Sequence, residues 1–404
     1  MDVSHPTSDL KSTKSHSLDG KNIVLCVTGS IAAVETVKLA RELIRHGAEV
    51  QGVMSEAART IIHPWALEYA TGKKAITDIT GDVEHVAYCG KRKEACDLML
   101  IAPCTANTIG KIASGIDDTP VTTFATTAIG SGIPIIIVPA MHGSMFDHPI
   151  VRDNIKKLEG IGIRFVMPKM EECTAKIPDI PEIVLNVERT LAKSQLRGKK
   201  ILITSGPNFE AIDPIRVLTS RSTGRMGEEL ALEAFRRGAD VTVVHRSKMG
   251  IRGINDVFAD GFSDMKKSVL EELSKGFDIY ISAAAISDFT VDPAKEKISS
   301  SGPVSIDLRP AEKLLDIVRH DFPGVFIVAF KAESVGDDKL VSRALAAMDR
   351  SMSNMVVANQ FGGVRDPEYN DVHIIEGDGN VRHISGKKSV VAISIIDAIA
   401  EYFK

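Results

Sequence analysis

The sequence predicts an α/β protein: two Rossmann-like or flavodoxin-like domains in series, each on a mostly parallel sheet, with a late β-hairpin in the second. Three observations carry that expectation. Short apolar runs alternate with amphipathic stretches of helical length along most of the chain, the pattern of strands covered by helices on both faces. The opening of this pattern occurs twice, as DGKNIVLCVTGS at 19–30 and RGKKILITSGPN at 197–208. Each opening is followed by a helix-length stretch closing on a basic residue, Gly, Ala, an acid and Val (HGAEV at 46–50, RGADV at 237–241). A length of 404 residues leaves room for two such units.

In order, Ile23 to Val27 reads as a buried strand, Thr28 to Ser30 as a turn, and Ile31 to His46 as a helix with Val37, Ala40, Leu43 and Ile44 on one face. Val50 to Met54 is the next strand, and Ser55 opens a helix. His85 starts a helix running toward Glu94. The strand from Asp97 leads into Pro103 to Thr108 and a helix stopping near Gly115. Asp117, Asp118 and Thr119 offer the cap of a further helix through Ala128, and the strand from Pro134 ends at Pro139 to His142. Pro168 to Pro181 reads as a long surface loop, a candidate flap. The boundaries expected are a disordered tail at 1–18, a first domain at 19–182, a linker helix at 183–197 and a second domain at 198–404. The second domain repeats the alternation, with strands near 200, 240, 278, 325 and 354. A hairpin around Gly377 to Gly379 and a terminal helix from Lys388 close it.

Composition narrows the function. A net charge of -4 gives no broad electrostatic reason to bind nucleic acid or an anionic membrane. No run approaches the length of apolar residues a membrane helix needs, and the Ser-, Lys- and His-rich N-terminus lacks a signal-peptide core. Five cysteines, all in the first half, form no zinc or disulfide framework. They read as free thiols in a reducing compartment, which places the protein in the cytoplasm.

In open α/β sheets ligands bind beyond the carboxyl ends of the strands. That rule selects Thr28 to Ile31, Ser55, Pro103 to Asn107, Pro139 to His142, Thr204 to Asn208, Ser282 to Asp288, Phe330 and Asn359. Gly29 and Ser30 suit a monophosphate at a helix start, and equally a plain turn and cap. His85 suits a general base, and also a bland surface histidine. Cys173 is set apart from the other thiols by its polar loop. The hydroxyls and arginines of 219–227 suit a polyanion. Asp288 could hold Mg²⁺ beside phosphates, with Lys295 and Lys297 on the polar segment that follows.

These residues resemble a family over nearly the whole chain: the bifunctional phosphopantothenoylcysteine decarboxylase / phosphopantothenate–cysteine ligases of coenzyme A biosynthesis, in an archaeal-like form. The first half is similar to flavin-containing cysteine decarboxylases in TGSIAA at 28–33, His85, APCTANT at 102–108 and PAMHGSM at 139–145. The second is similar to the ligases in TSGPNFEAIDPIRVLTSRSTGRMG at 204–227, AAAISDF at 283–289, EKI at 296–298, and VAN with a nearby FGG at 357–363. Two positions depart: His142 and Ser220 stand where such motifs commonly carry Asn.

The resemblance implies FMN held around Gly29, Ser30, Ile31, Ser55 and Thr105, with His85 as active-site base and Cys173 as proton donor. Asn107, Met141 and His142 would hold the substrate carboxylate of 4'-phosphopantothenoylcysteine, whose thiol is oxidised to a thioaldehyde before CO2 leaves and reduction gives 4'-phosphopantetheine. In the second half it implies CTP as co-substrate, an acyl-cytidylate of 4'-phosphopantothenate, and attack by cysteine. Lys297 is the implied catalytic lysine. Ser220, Arg221 and Ser222 bind substrate, and Ala284, Ala285, Asp288, Phe330 and Asn359 line the nucleotide site. Asp288 would ligate Mg²⁺ or Mn²⁺. A homo-oligomer is implied, up to a dodecamer of decarboxylase trimers and ligase dimers. Activity in one half only, or a non-catalytic flavin-binding regulator, are the alternatives left open by the residues alone.

Overall fold

The computed structural model describes residues 5–171, 174–299, 301–334, 336–360 and 366–404. The chain divides into two compact units, Met1–Leu191 and Ala192–Lys404.

In the first unit five parallel strands lie in the order Glu49–Met54, Asn22–Val27, Leu98–Cys104, Ile135–Pro139, Arg164–Phe165. Numbered along the chain, that is 2-1-3-4-5, the flavodoxin-like order. Strand residues are buried without alternation because each face has its own helical cover. Ile23, Leu25 and Val27 point to a core shared with Leu39, Leu43, Leu67 and Ile183. Their neighbours Val24 and Cys26 point to the opposite core, with Ile109, Phe124 and Leu158.

Three expectations are corrected here. Residues 5–18 are not a disordered tail: Pro6–Leu10 forms a 3₁₀ turn and Leu18 is fully buried. Composition misleads because the lysines of this arm meet distant acids, Lys11 with Glu49 at 2.6 Å and Lys14 with Glu42 at 2.5 Å. Leu18→Ala is expected to cost the first domain about 2–5 kcal/mol, read by thermal or urea unfolding. Secondly, the linker helix is Ile180–Leu191, and it belongs to the first domain, because Ile183, Val184 and Val187 are buried in its core. Thirdly, the loop from Pro168 is a hairpin. Lys169–Glu171 pairs with Thr174–Lys176, which pairs in turn with Met141–His142.

The second unit has an eight-stranded sheet in the order Ile254–Phe258, Asp240–His245, Lys200–Thr204, Ile279–Ser282, Phe326–Glu333, Met355–Gln360, Tyr369–Glu376, Val381–Lys387. In chain order this is 3-2-1-4-5-6, the dinucleotide-binding arrangement, extended by the expected antiparallel hairpin. The edge strand Ile254–Phe258 was not legible as a strand. Helices Phe262–Leu273 and Leu314–Asp321 bury Met265, Val269 and Val318 against Leu202, Tyr280 and Ile327. Arg225–Arg236 and Lys388–Tyr402 pack together. No helix among the described residues is long and apolar enough to cross a membrane.

Candidate functional sites at the two switch points

In the first domain the strand order reverses between Asn22–Val27 and Leu98–Cys104, and the loops leaving these strands are tied by one residue. The Thr28 hydroxyl donates to Pro103 O at 2.9 Å and accepts from Thr105 N–H at 3.0 Å. Ala140 N–H donates to Cys104 O at 3.0 Å, and Ser55 N–H to Val27 O at 3.0 Å. Four exit loops therefore form one continuous rim. Gly29 is required by its neighbour: a Cβ there would sit 2.5 Å from Ala57 Cβ. Gly29→Ala is expected to cost about 1–3 kcal/mol by overpacking, measurable as a lower melting temperature.

The expected cofactor residues are in different states. The Ser30 hydroxyl caps nothing, and Ile31 is 77% exposed, an apolar side chain on a polar rim. Ser55 and Thr105 are committed as N-caps, accepting from Ala58 and Thr108 N–H at 3.3 Å each. Asn107 is exposed, one residue into the helix Ala106–Ser114. Met141 is buried and His142 exposed on the short strand that meets the hairpin. Cys104 is packing, since burial pushes its thiol up and keeps it protonated. Cys173 lies outside the described residues.

His85 sits in the first turn of Glu84–Cys89. Its Nδ1 is buried and has no hydrogen-bond partner among the described residues. An unpartnered buried ring nitrogen is costly unless something else meets it. Beside it, the Glu84 carboxylate is held below the usual range by the Thr80 hydroxyl and N–H. No hydrogen bond among the described residues joins His85 to the rim.

The second domain's sheet reverses between Lys200–Thr204 and Ile279–Ser282, and again the exit loops are stitched. Ala283 N–H donates to Thr204 O at 3.2 Å, Ala285 N–H to Gly206 O at 2.9 Å, and Asn208 N–H to Ala285 O at 3.3 Å. Ser205 donates its hydroxyl to Gly224 O at 2.9 Å. Gly224, at φ +78°, turns the chain into the helix Arg225–Arg236 and offers no capping side chain. The first N–H of the helix, on Arg225, donates to Thr223 Oγ1 at 3.5 Å, and the next turn of N–H groups can meet an anion. Ser220 Oγ accepts from Ser222 N–H at 3.3 Å, and Ser222 Oγ from Gly224 N–H at 3.4 Å. Arg221 is exposed, with no ion pair among the described residues.

Ala284 and Ala285 flank the switch point. Phe330 and Asn359 are half-buried on the next two strands along the sheet. Asp288 is ion-paired with Lys313, and among the described residues no group of three or more His, Cys, Asp or Glu could hold a metal. Lys297 is exposed and has no ion-pair partner among the described residues. The FGG at 361–363 lies outside those residues. A cleft of about 310 Å³ lined by Asp278, Arg319, Phe326 and Tyr402 lies at the opposite, amino end of the strands. Its Arg319 spends its donors on Met352, Pro323 and Val325 carbonyls and on Asn354, which leaves little for a ligand.

Sequence reading placed Asn208 in an exit loop without a role of its own and did not single out Asp213. Asn208 is 1% exposed with neither amide atom partnered among the described residues. Asp213 is also buried, its carboxylate accepting from Ile215 N–H at 2.8 Å, Arg216 N–H at 2.7 Å and Ile298 N–H at 3.1 Å. Burial would raise that carboxyl, but these donors and the Arg216 guanidinium outweigh it and hold it down at about 2. The Asp-Pro pair at 213–214 was the available signal, as a side-chain turn.

Two family models match the halves in order: Flavoprotein at 11–192, and the C-terminal domain of DNA/pantothenate metabolism flavoproteins at 196–403. The coenzyme A biosynthesis bifunctional protein CoaBC of Thermococcus kodakarensis is 48% identical over 93% of this chain and 93% of its own length. This chain belongs to the CoaBC family. The CoaBC proteins of Methanocaldococcus jannaschii and Bacillus subtilis are 38% and 31% identical, covering 100% and 96% of this chain and 99% and 98% of their own. As a CoaBC protein it is a bifunctional enzyme of coenzyme A biosynthesis, a flavoprotein decarboxylase half followed by a ligase half.

Proposed function

We propose that the chain first condenses 4'-phosphopantothenate with cysteine in its second domain and then decarboxylates the 4'-phosphopantothenoylcysteine in its first. One observation carries this reading: in each half, exit loops that bear family motifs are hydrogen-bonded to one another at the switch point of that half's sheet.

In the ligase half, the helix start at Gly224, with Ser220, Arg221 and Ser222, binds phosphate and carboxylate oxygens. CTP lies along Ala284, Ala285, Phe330 and Asn359. The carboxylate of 4'-phosphopantothenate attacks the α-phosphorus, pyrophosphate leaves, and the cysteine amine then displaces CMP from the mixed anhydride. Lys297 closes over the phosphates and stabilises charge that grows in the transition state. Asp288, already facing Lys313, does not make a metal site by itself. A divalent ion would arrive on the triphosphate, with Asp288 as at most one protein ligand.

In the first half, the open Ser30 hydroxyl beside Gly29 and the exposed Ile31 fit FMN, with Ser55 and Thr105 completing the rim. FMN supplies the electron transfer that takes the substrate thiol to a thioaldehyde and so eases loss of CO2. His85 moves the proton through the nitrogen that has no partner among the described residues. Asn107, Met141 and His142 orient the substrate carboxylate, and Cys173 returns a proton. Thr174–Lys176 pairs with Met141–His142 beside that carboxylate site. The reading places the enzyme in the cytoplasm as a homo-oligomer.

The test is an absorption spectrum of the purified chain, followed by turnover with 4'-phosphopantothenate, cysteine, and CTP or ATP. A flavin spectrum, pyrophosphate release with CTP and CO2 release are expected. A colourless protein, or one releasing neither product, would overturn the reading.

A further inference from the structure

The segment bearing Lys297 is pinned to the signature loop of 204–219 at two points. Ala294 N–H donates to Ile212 O at 2.9 Å. Four residues on, the Ile298 peptide is gripped on both polar atoms: its N–H by Asp213 Oδ2 at 3.1 Å, its carbonyl by Arg216 Nη1 at 3.0 Å. Arg216 Nη1 also donates to Asp213 Oδ2 at 2.7 Å, so the two side chains form one clasp. Asp213 has a side chain 0% exposed, while Lys297, one residue before the gripped peptide, is exposed. Asp213 is the buried half of the clasp and Arg216 its exposed half, and the lysine beside the gripped peptide faces solvent.

We propose that Asp213 is a positioning residue for ligation, fixing through the Ile298 peptide where the Lys297 ammonium can reach. The proposal rests on Lys297 being the lysine that ligation uses. A long exposed lysine on an untethered loop samples many positions, and a misplacement of about 1 Å costs about 10²-fold in rate. Anchoring the backbone on either side of Lys297 removes that freedom without consuming its charge.

Atom geometry dictates the substitution. Asp213 Oδ1 serves Ile215 and Arg216 N–H, within its own turn, while Oδ2 serves Ile298 and the guanidinium. In Asp213→Asn the carbonyl oxygen can keep the turn, and the NH2 group then confronts two donors. The turn survives and the grip on Ile298 is lost.

The test uses the full-length protein and its Asp213→Asn and Lys297→Gln variants. Cleavage after Lys295 and Lys297 by trypsin, followed by mass spectrometry, should quicken about tenfold or more in Asp213→Asn. Ligase kcat should fall about 10- to 100-fold with KM for CTP changed less than about threefold. Decarboxylation of supplied 4'-phosphopantothenoylcysteine should be unchanged, which a general loss of folding would not allow. If Asp213→Asn does not fold, Arg216→Gln carries the same expectation, because it frees the Ile298 carbonyl and leaves the backbone turn at Asp213 intact. Wild-type ligase kcat in a folded clasp variant, with Lys297→Gln inactive, would overturn the clasp and leave the lysine's role standing. A lowered kcat without faster cleavage would also overturn it. Wild-type ligation by Lys297→Gln would remove the reading beneath it.

Discussion

His85→Asn is expected to stop decarboxylation and to leave both the yellow colour and the ligase untouched. The expected fall in CO2 release is about 10²- to 10⁴-fold, the range a positioned acid–base group contributes. His85 is singled out by geometry, because its Nδ1 is enclosed by protein yet meets no partner among the described residues. A histidine placed for packing alone would pair that nitrogen or turn it to water. The Glu84 carboxylate, tied down by Thr80, fixes the turn that carries the ring. Asn retains polarity and approximate size but cannot exchange a proton near neutrality, so structure and flavin binding should persist. Measuring CO2 from 4'-phosphopantothenoylcysteine alongside the flavin spectrum separates the two. Wild-type turnover would show that the base lies elsewhere.

What could be read from the sequence was whatever local pattern encodes. Ile23 to Val27 and Leu98 to Ala102 announce strands because both faces are covered, leaving an unbroken apolar run. The strand order was not readable, because it depends on which runs pair in space. The edge strand Ile254–Phe258 escaped because Asn255 and Asp256 break the run, and an edge tolerates them. The N-terminal arm escaped for a related reason: its lysines look like those of a solvated tail until Glu42 and Glu49 are folded beside them. Of the residues named by motif, Gly29, Ser30, Ser55 and Thr105 lie where strands end, whereas His85 and Asn107 lie in helices and Phe330 and Asn359 within strands. What holds the exit loops did not show. Thr28 bridges to a loop 75 residues on, and Asp213 to a peptide 85 residues on. A hydroxyl or carboxylate in a one-dimensional string carries no mark of such a partner.

The second large effect falls on the other half of the chain. Lys297→Gln is expected to lower CTP-dependent pyrophosphate release by about 10²- to 10³-fold, the cost of losing one preorganised group aimed at developing charge. Gln keeps a comparable stem and hydrogen-bonding capacity, so what disappears is the full positive charge. The neighbouring Lys295→Gln removes an equal charge from the same exposed segment and serves as the control. If general attraction of a triphosphate were all that mattered, the two variants would lose affinity alike, and added salt would narrow both from wild type. A fixed lysine predicts an asymmetry instead. Lys297→Gln loses kcat, Lys295→Gln stays within about threefold of wild type, and salt does not close the gap. Equal, salt-sensitive losses would reduce Lys297 to part of a diffuse basic surface, whereas the asymmetric result assigns the charge to one atom held in one place.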